Sequence, residues 1–144
     1  MTEDGPAESL ATLLGVWLPV AGTVLIGASG IPGLFLSRRS SAGERISAVL
    51  HVFGAILALA GAAISLIATS APAAQLAWGL PLGSFRIEVD GLSAAFLVPL
   101  ILVPAMGSIY GLRYWSQREH AATAPKLRAF YGTLAASLIL LTIA

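Results

Sequence analysis

The feature that most constrains this chain is a set of four apolar runs in which no charged side chain occurs. They extend from about Leu10 to Leu36, Ile46 to Thr69, Leu92 to Leu112 and Ala129 to Ala144. Only 10% of the residues are charged and 57% are hydrophobic, whereas soluble domains carry about 25% charged residues. The few charges fall between the runs. Runs of this length cannot all be folded inside a domain of 144 residues, but each of the first three can cross a hydrocarbon core of ~30 Å. The expected class is therefore all-α, an integral membrane helical bundle. The acidic tail, residues 1–9, lacks the basic start of a signal peptide, so the first run is expected to be a retained span.

Each run carries its own punctuation. Pro19 should free a carbonyl and bend the first. Gly27, Ser29, Gly30, Pro32 and Gly33 make its second half a poor regular helix. That half is either an unwound segment lining an ion path or a site of close packing at the end of the span. In the second run Gly54, Ala58, Gly61 and Ala62 share one side, where small residues admit a neighbouring backbone. The third contains Pro99, Pro104 and a Gly107/Gly111 pair. The fourth, from Phe130 to Ala144, gives roughly 22 Å of helix. It is expected to be a truncated span, as if the chain were the front part of something longer.

Between the second and third runs Phe85, Ile87 and Val89 alternate with Arg86, Glu88 and Asp90. This period of two predicts a short half-buried strand. At Gly91 it gives way to helix. Arg86 and Glu88 can pair on one strand face. Asp90 suits an N-cap for the third helix, with Ser93 as an alternative cap; Glu88 or Asp90 could instead take part in proton exit.

Basic residues set the orientation. Arg38, Arg39 and Arg45 follow the first run, and Arg113, Arg118, Lys126 and Arg128 follow the third. Seven of the eight basic residues thus fit one arrangement. The basic loops are expected in the cytoplasm, and the N-terminus and the strand-like segment outside, in a cell (inner or plasma) membrane. Trp78, Tyr110, Tyr114 and Trp115 fall near span ends and are expected to act as interface anchors.

His51 lies inside the second run. A titratable group there is either a proton-relay member or a neutral imidazole bonded near the interface. His51 and His120 have no partner at metal-ligand spacing, and there are no cysteines. No HExxH, P-loop, GxGxxG or GxSxG pattern occurs, so no self-contained active site, metal site or cofactor site is expected. Basic residues are not interleaved with aromatics, so no nucleic-acid partner is expected either.

The stretch from Gly83 to Phe96, with its Phe85-Arg86-x-x-x-Asp90-x-Leu92-Ser93 pattern, leads into a run ending in Ser108-x-Tyr110. It resembles the N-terminal part of the antiporter-like membrane subunits. These belong to respiratory complex I, membrane-bound hydrogenases of the formate hydrogenlyase type, and multisubunit cation/proton antiporters. The resemblance implies translocation of protons or cations coupled to a redox partner, a first terminus on the outer side, and partners that are membrane lipid and other membrane subunits. The family's working Glu and Lys residues lie on its fifth and later helices, so none carries over. Phe85, Arg86, Asp90, Leu92 and Ser93 carry over as motif positions only. The expected function is a subunit of such a complex without independent activity. The alternative is a small non-catalytic assembly or anchoring protein that docks through its small-residue faces.

Overall fold

The computed structural model describes residues 6–36, 41–67, 73–76 and 85–144. The tail before Pro6, Arg38 and Arg39, and the connector carrying Trp78 and Pro81 lie outside the described residues. In chain order the elements are α1 (Pro6–Ala28), α2 (Ile31–Phe35), α3 (Ala42–Ile67), β1 (Ala73–Leu76), β2 (Phe85–Glu88), α4 (Gly91–Tyr114) and α5 (Ala124–Ile143). Among the described residues four stretches are long and apolar enough to cross a membrane: Leu13–Phe35, Ala42–Ile67, Gly91–Tyr114 and Ala124–Ile143. The protein is an all-α, multi-pass membrane bundle. The spans form a ring, α1 against α3, α3 against α4, α4 against α5, and α5 back against α1.

The helices extend beyond the apolar runs, because a polar or charged residue does not end a helix. α1 starts at Pro6, inside the stretch expected to be a tail, and α3 starts at Ala42, before the charges of Glu44 and Arg45. α5 starts at Ala124, with Pro125 in its first turn, where a fixed φ and a missing N–H cost nothing. Its 20 residues give ~30 Å of helix, long enough to span where hydropathy alone left it short.

The α1–α3 contact is made backbone to backbone. Gly54, Ala58, Gly61 and Ala62 are all buried on one face of α3. A side chain at Gly22 of α1 would strike the Gly54 carbonyl and the Ala58 nitrogen, and one at Gly61 would strike the Pro19 ring. Pro19 has no N–H to offer the carbonyl of Gly15. Ser65, on the buried face of α3, supplies a donor in its place. Its hydroxyl lies 3.3 Å from the Gly15 oxygen and 3.0 Å from the Gly61 oxygen of its own helix. The irregularity in one span is thus met by a polar side chain of the next.

At the end of the bundle away from the α4–α5 loop, β1 and β2 form an antiparallel pair with Gln75 opposite Arg86 and Ala74 opposite Ile87. Ile87 and Val89 turn into the core, while Arg86 and Glu88 pair outside at 2.7 Å, as the alternation requires. Asp90, in extended conformation, is the N-cap of α4. Its Oδ1 accepts from the Ser93 N–H at 2.7 Å, which leaves Ser93 as the residue capped. Leu92 is exposed in the first turn. Among the described residues Asp90 is exposed, and its side chain bonds Ser93 of its own helix.

That bond, together with the Ser93 side chain, holds the Asp90 carboxyl below the usual carboxylate value. A group whose pKa is lower when folded contributes stability above its unfolded pKa and loses it as pH falls through the folded one. Asp90→Ala should therefore be destabilised relative to wild type at neutral pH, and the gap should narrow only below the ordinary carboxylate range. Thermal unfolding in detergent between neutral and acidic pH reads this, and a gap that does not change with pH contradicts it.

Candidate functional site

The first span breaks at Ser29–Gly30 for reasons present in the chain. Pro32 cannot donate to the carbonyl of Ala28, and the Ser29 hydroxyl turns back onto the Ile26 oxygen at 2.6 Å. The backbone N–H of Ser29 also bonds Ile26, at 3.2 Å, a tight final turn. Gly30 then lies so close to Ala129 of α5 that no side chain fits between them. The break is held against α5 by this close approach.

His51 faces the break. It is 2% exposed, and its Nδ1 lies 3.3 Å from Ser29 Oγ. With that hydroxyl donating to Ile26, its oxygen can accept, and the tautomer that fits this arrangement carries its hydrogen on Nδ1. Nε2 then presents a lone pair and has no hydrogen-bond partner among the described residues. The ring stacks against Tyr131 of α5, with centroids 5.9 Å apart. By helical rise His51 is ~13 Å from the start of α3. Two features that the sequence offered separately, a broken helix and an intramembrane histidine, are in contact.

Closer to the helix ends is a group that sequence reasoning missed. Glu44, in the first turn of α3, and Arg128, in α5, pair at 3.4 Å, with side chains only 7% and 11% exposed. Glu44 Oε2 also accepts the Gln117 backbone N–H at 2.8 Å. Arg128 Nη2 donates to the carbonyls of Gly111 and Trp115, at 3.0 and 3.5 Å. The pair therefore ties the start of α3, the end of α4 and the α4–α5 loop together. The carboxylate sits at the N-terminus of its own helix, and the guanidinium, although Arg128 is in the second turn of α5, reaches the C-terminal carbonyls of α4.

A cavity of about 350 Å³ joins these groups, lined among others by Ser29, Ser47, His51, Trp115, Arg128 and Tyr131. Gly107 and Gly111 of α4 complete its wall. A Cβ at Gly107 would strike the Tyr131 hydroxyl, whereas one at Gly111 would meet only Arg128 Nη1, at 3.9 Å. The Tyr110 and Tyr114 rings stack at 5.3 Å and are exposed at the rim. Trp115, at the end of α4, stacks on His120 at 3.7 Å. Among the described residues Trp115 Nε1, His120 Nδ1 and Arg128 Nε are buried without hydrogen-bond partners, as is His51 Nε2. A buried polar group left unpaired costs about 1–3 kcal/mol. Three of these four belong to residues that line one cavity. No three His, Asp or Glu side chains among the described residues come together as a metal site.

The motif residues lie elsewhere. Arg86, Asp90, Leu92 and Ser93 are at the strand–helix junction, at the opposite end of α4 from this cavity. Phe85 opens β2 there.

Compared with protein-family models, curated proteins and solved structures, the chain matches none.

Proposed function

We propose that the chain is a membrane subunit of a complex that moves protons or cations, driven by a redox partner or by cation/proton exchange. The observation that carries this reading is the Ser29–His51 contact at the break of the first span. It orients an imidazole whose second nitrogen is unpaired, inside a bundle where hydrocarbon offers no alternative proton acceptor. Nε2 can take a proton there, and Nδ1 can release one toward Ser29. The Glu44–Arg128 pair stands between this site and the nearer end of the bundle. In this reading the basic end faces the cytoplasm, the strand pair and N-terminus lie outside, and the membrane is the cell membrane. The pattern from Phe85 to Ser93 supports descent from the antiporter-like subunits.

The rival role, an assembly or anchoring protein, would need the small-residue faces as outward contacts. The first is engaged within the chain, Gly54 and Gly61 against α1; of the second, Gly107 meets Tyr131 while Gly111 has open space beside it. No observation favours that role over a subunit with a polar site of its own.

His51→Gln preserves side-chain polarity but removes the titratable ring. In vesicles from the native host, redox- or cation-driven proton movement should fall by about a hundredfold, the low side of what a positioned proton-transfer group contributes. The amount of inserted protein should not change. Unaltered proton movement would remove His51 from the mechanism.

A further inference from the structure

We infer that Tyr131 is a positioning residue for His51 and the gate of its proton exchange: its ring covers Nε2 in this structure and uncovers it by turning into the adjoining cavity. Such a gate rests on the transport reading. The reactivity of His51 is read without transport, however, so the gate can fail while that reading stands.

A nitrogen that exchanges protons must at some moment meet a donor. His51 Nε2 is buried and has no hydrogen-bond partner among the described residues, although His51 lines a cavity of about 350 Å³. The imidazole is thus beside the cavity and its free nitrogen is closed off from it. The ring stacked on it is that of Tyr131, with centroids 5.9 Å apart and planes inclined by 25°. Tyr131 lines the same cavity and is only half-buried. It has the imidazole on one side and room on another.

Two glycines of α4 make both positions of the ring available. A Cβ at Gly107 would strike the Tyr131 hydroxyl, so the closed position depends on the absence of a side chain there. One turn on, Gly111 also lines the cavity, and a Cβ there would meet only Arg128 Nη1, at 3.9 Å. This keeps open the space into which the ring turns. The rim residues Tyr110 and Tyr114 are exposed and lie in the last turns of α4, at the level where a span meets water. The cavity is many times larger than the ~10–15 Å³ that one water needs. With the ring turned aside, a hydronium ion in the cavity gives its proton to Nε2 and remains as water. With the ring in place, His51 is sealed from that side.

The test is acylation of His51 by diethyl pyrocarbonate, which attacks an unprotonated imidazole nitrogen, in the full chain purified in detergent. Mass spectrometry follows each site, and His120 reports the activity of the reagent in the same chain. Reactivity scales with the fraction of molecules in the open state, so His51 of folded wild type should react slowly but measurably. Tyr131→Ala removes the gate and should speed the reaction at least about tenfold. Gly107→Ala leaves both rings in the chain but displaces the Tyr131 hydroxyl, and should speed it about three- to tenfold. Gly111→Leu fills the space the ring needs, and should slow it at least about threefold. Tyr131→Ala with Gly111→Leu separates a blocked ring from a blocked reagent: the pair should react as fast as Tyr131→Ala alone. Circular dichroism should show each variant as helical as wild type; if Gly111→Leu does not fold, Gly107→Ala and Tyr131→Ala decide. A wild-type rate in either of those two would overturn the gate. So would a folded wild type whose His51 never reacts, or a double variant as slow as Gly111→Leu.

Discussion

Glu44→Gln should destabilise the protein by about 3 kcal/mol, the lower part of the ~3–5 kcal/mol seen when one member of a buried ion pair is removed. The substitution keeps an oxygen for the Gln117 N–H but leaves the Arg128 guanidinium buried without a counter-charge. The lower part of the range is expected because Arg128 retains the carbonyls of Gly111 and Trp115. Those carbonyls end α4 and carry partial negative charge. The pair itself is not what stabilises the fold, since desolvating two charges offsets most of their attraction. Replacing both, as Glu44→Leu with Arg128→Met, should therefore recover most of the loss. Reversible unfolding in mixed micelles of Glu44→Leu, Arg128→Met and the double variant closes a cycle that reads this recovery. A Glu44→Gln protein within ~0.5 kcal/mol of wild type would show that the pair is effectively solvated.

Gly22→Leu should be at least as damaging, and by a different mechanism. Overpacking a core costs about 1–3 kcal/mol when side chains can shift. Here the new Cβ would strike the Gly54 carbonyl and lie 2.7 Å from the Ala58 nitrogen. Backbone atoms of a helix cannot change rotamer, so α1 and α3 must separate. Their separation would also pull Ser65 from the Gly15 carbonyl freed by Pro19. The expected cost is about 3 kcal/mol or more, read as loss of the folded fraction in detergent. Gly91 provides the contrast, since a Cβ there meets nothing within 4 Å. Gly91→Ala should be neutral or stabilising by up to ~1 kcal/mol. Equal damage at both positions would mean that glycine matters for flexibility and not for close approach.

What the sequence made legible was whatever depends on local pattern. Alternation from Phe85 to Asp90 announced the strand, its outward Arg86–Glu88 pair and the Asp90 cap, because each follows from spacing of a few residues. The face from Gly54 to Ala62 announced a close helix contact, because one helix displays it. The Glu44–Arg128 pair was not legible. Both residues lie in charged stretches that hydropathy assigns to loops, and they are brought together only by the arrangement of three elements. The charge of Glu44, the lone acid in a basic segment, was the available signal. The Ser29–His51 contact was half legible: each partner stood out, but their separation by 22 positions fits no periodicity. Pro19 allowed one further inference, that some donor must reach Gly15, without saying that it would be Ser65.

The central claim is that this bundle works within a proton- or cation-moving assembly, with His51 at the break of the first span as its titratable group. Affinity capture of the tagged chain from native membranes in mild detergent, with mass-spectrometric identification of what accompanies it, tests that claim most directly. The account predicts stoichiometric recovery of membrane subunits of a redox-driven proton pump or a cation/proton antiporter. Recovery of the chain alone, or with proteins of no transport or redox type, would contradict it.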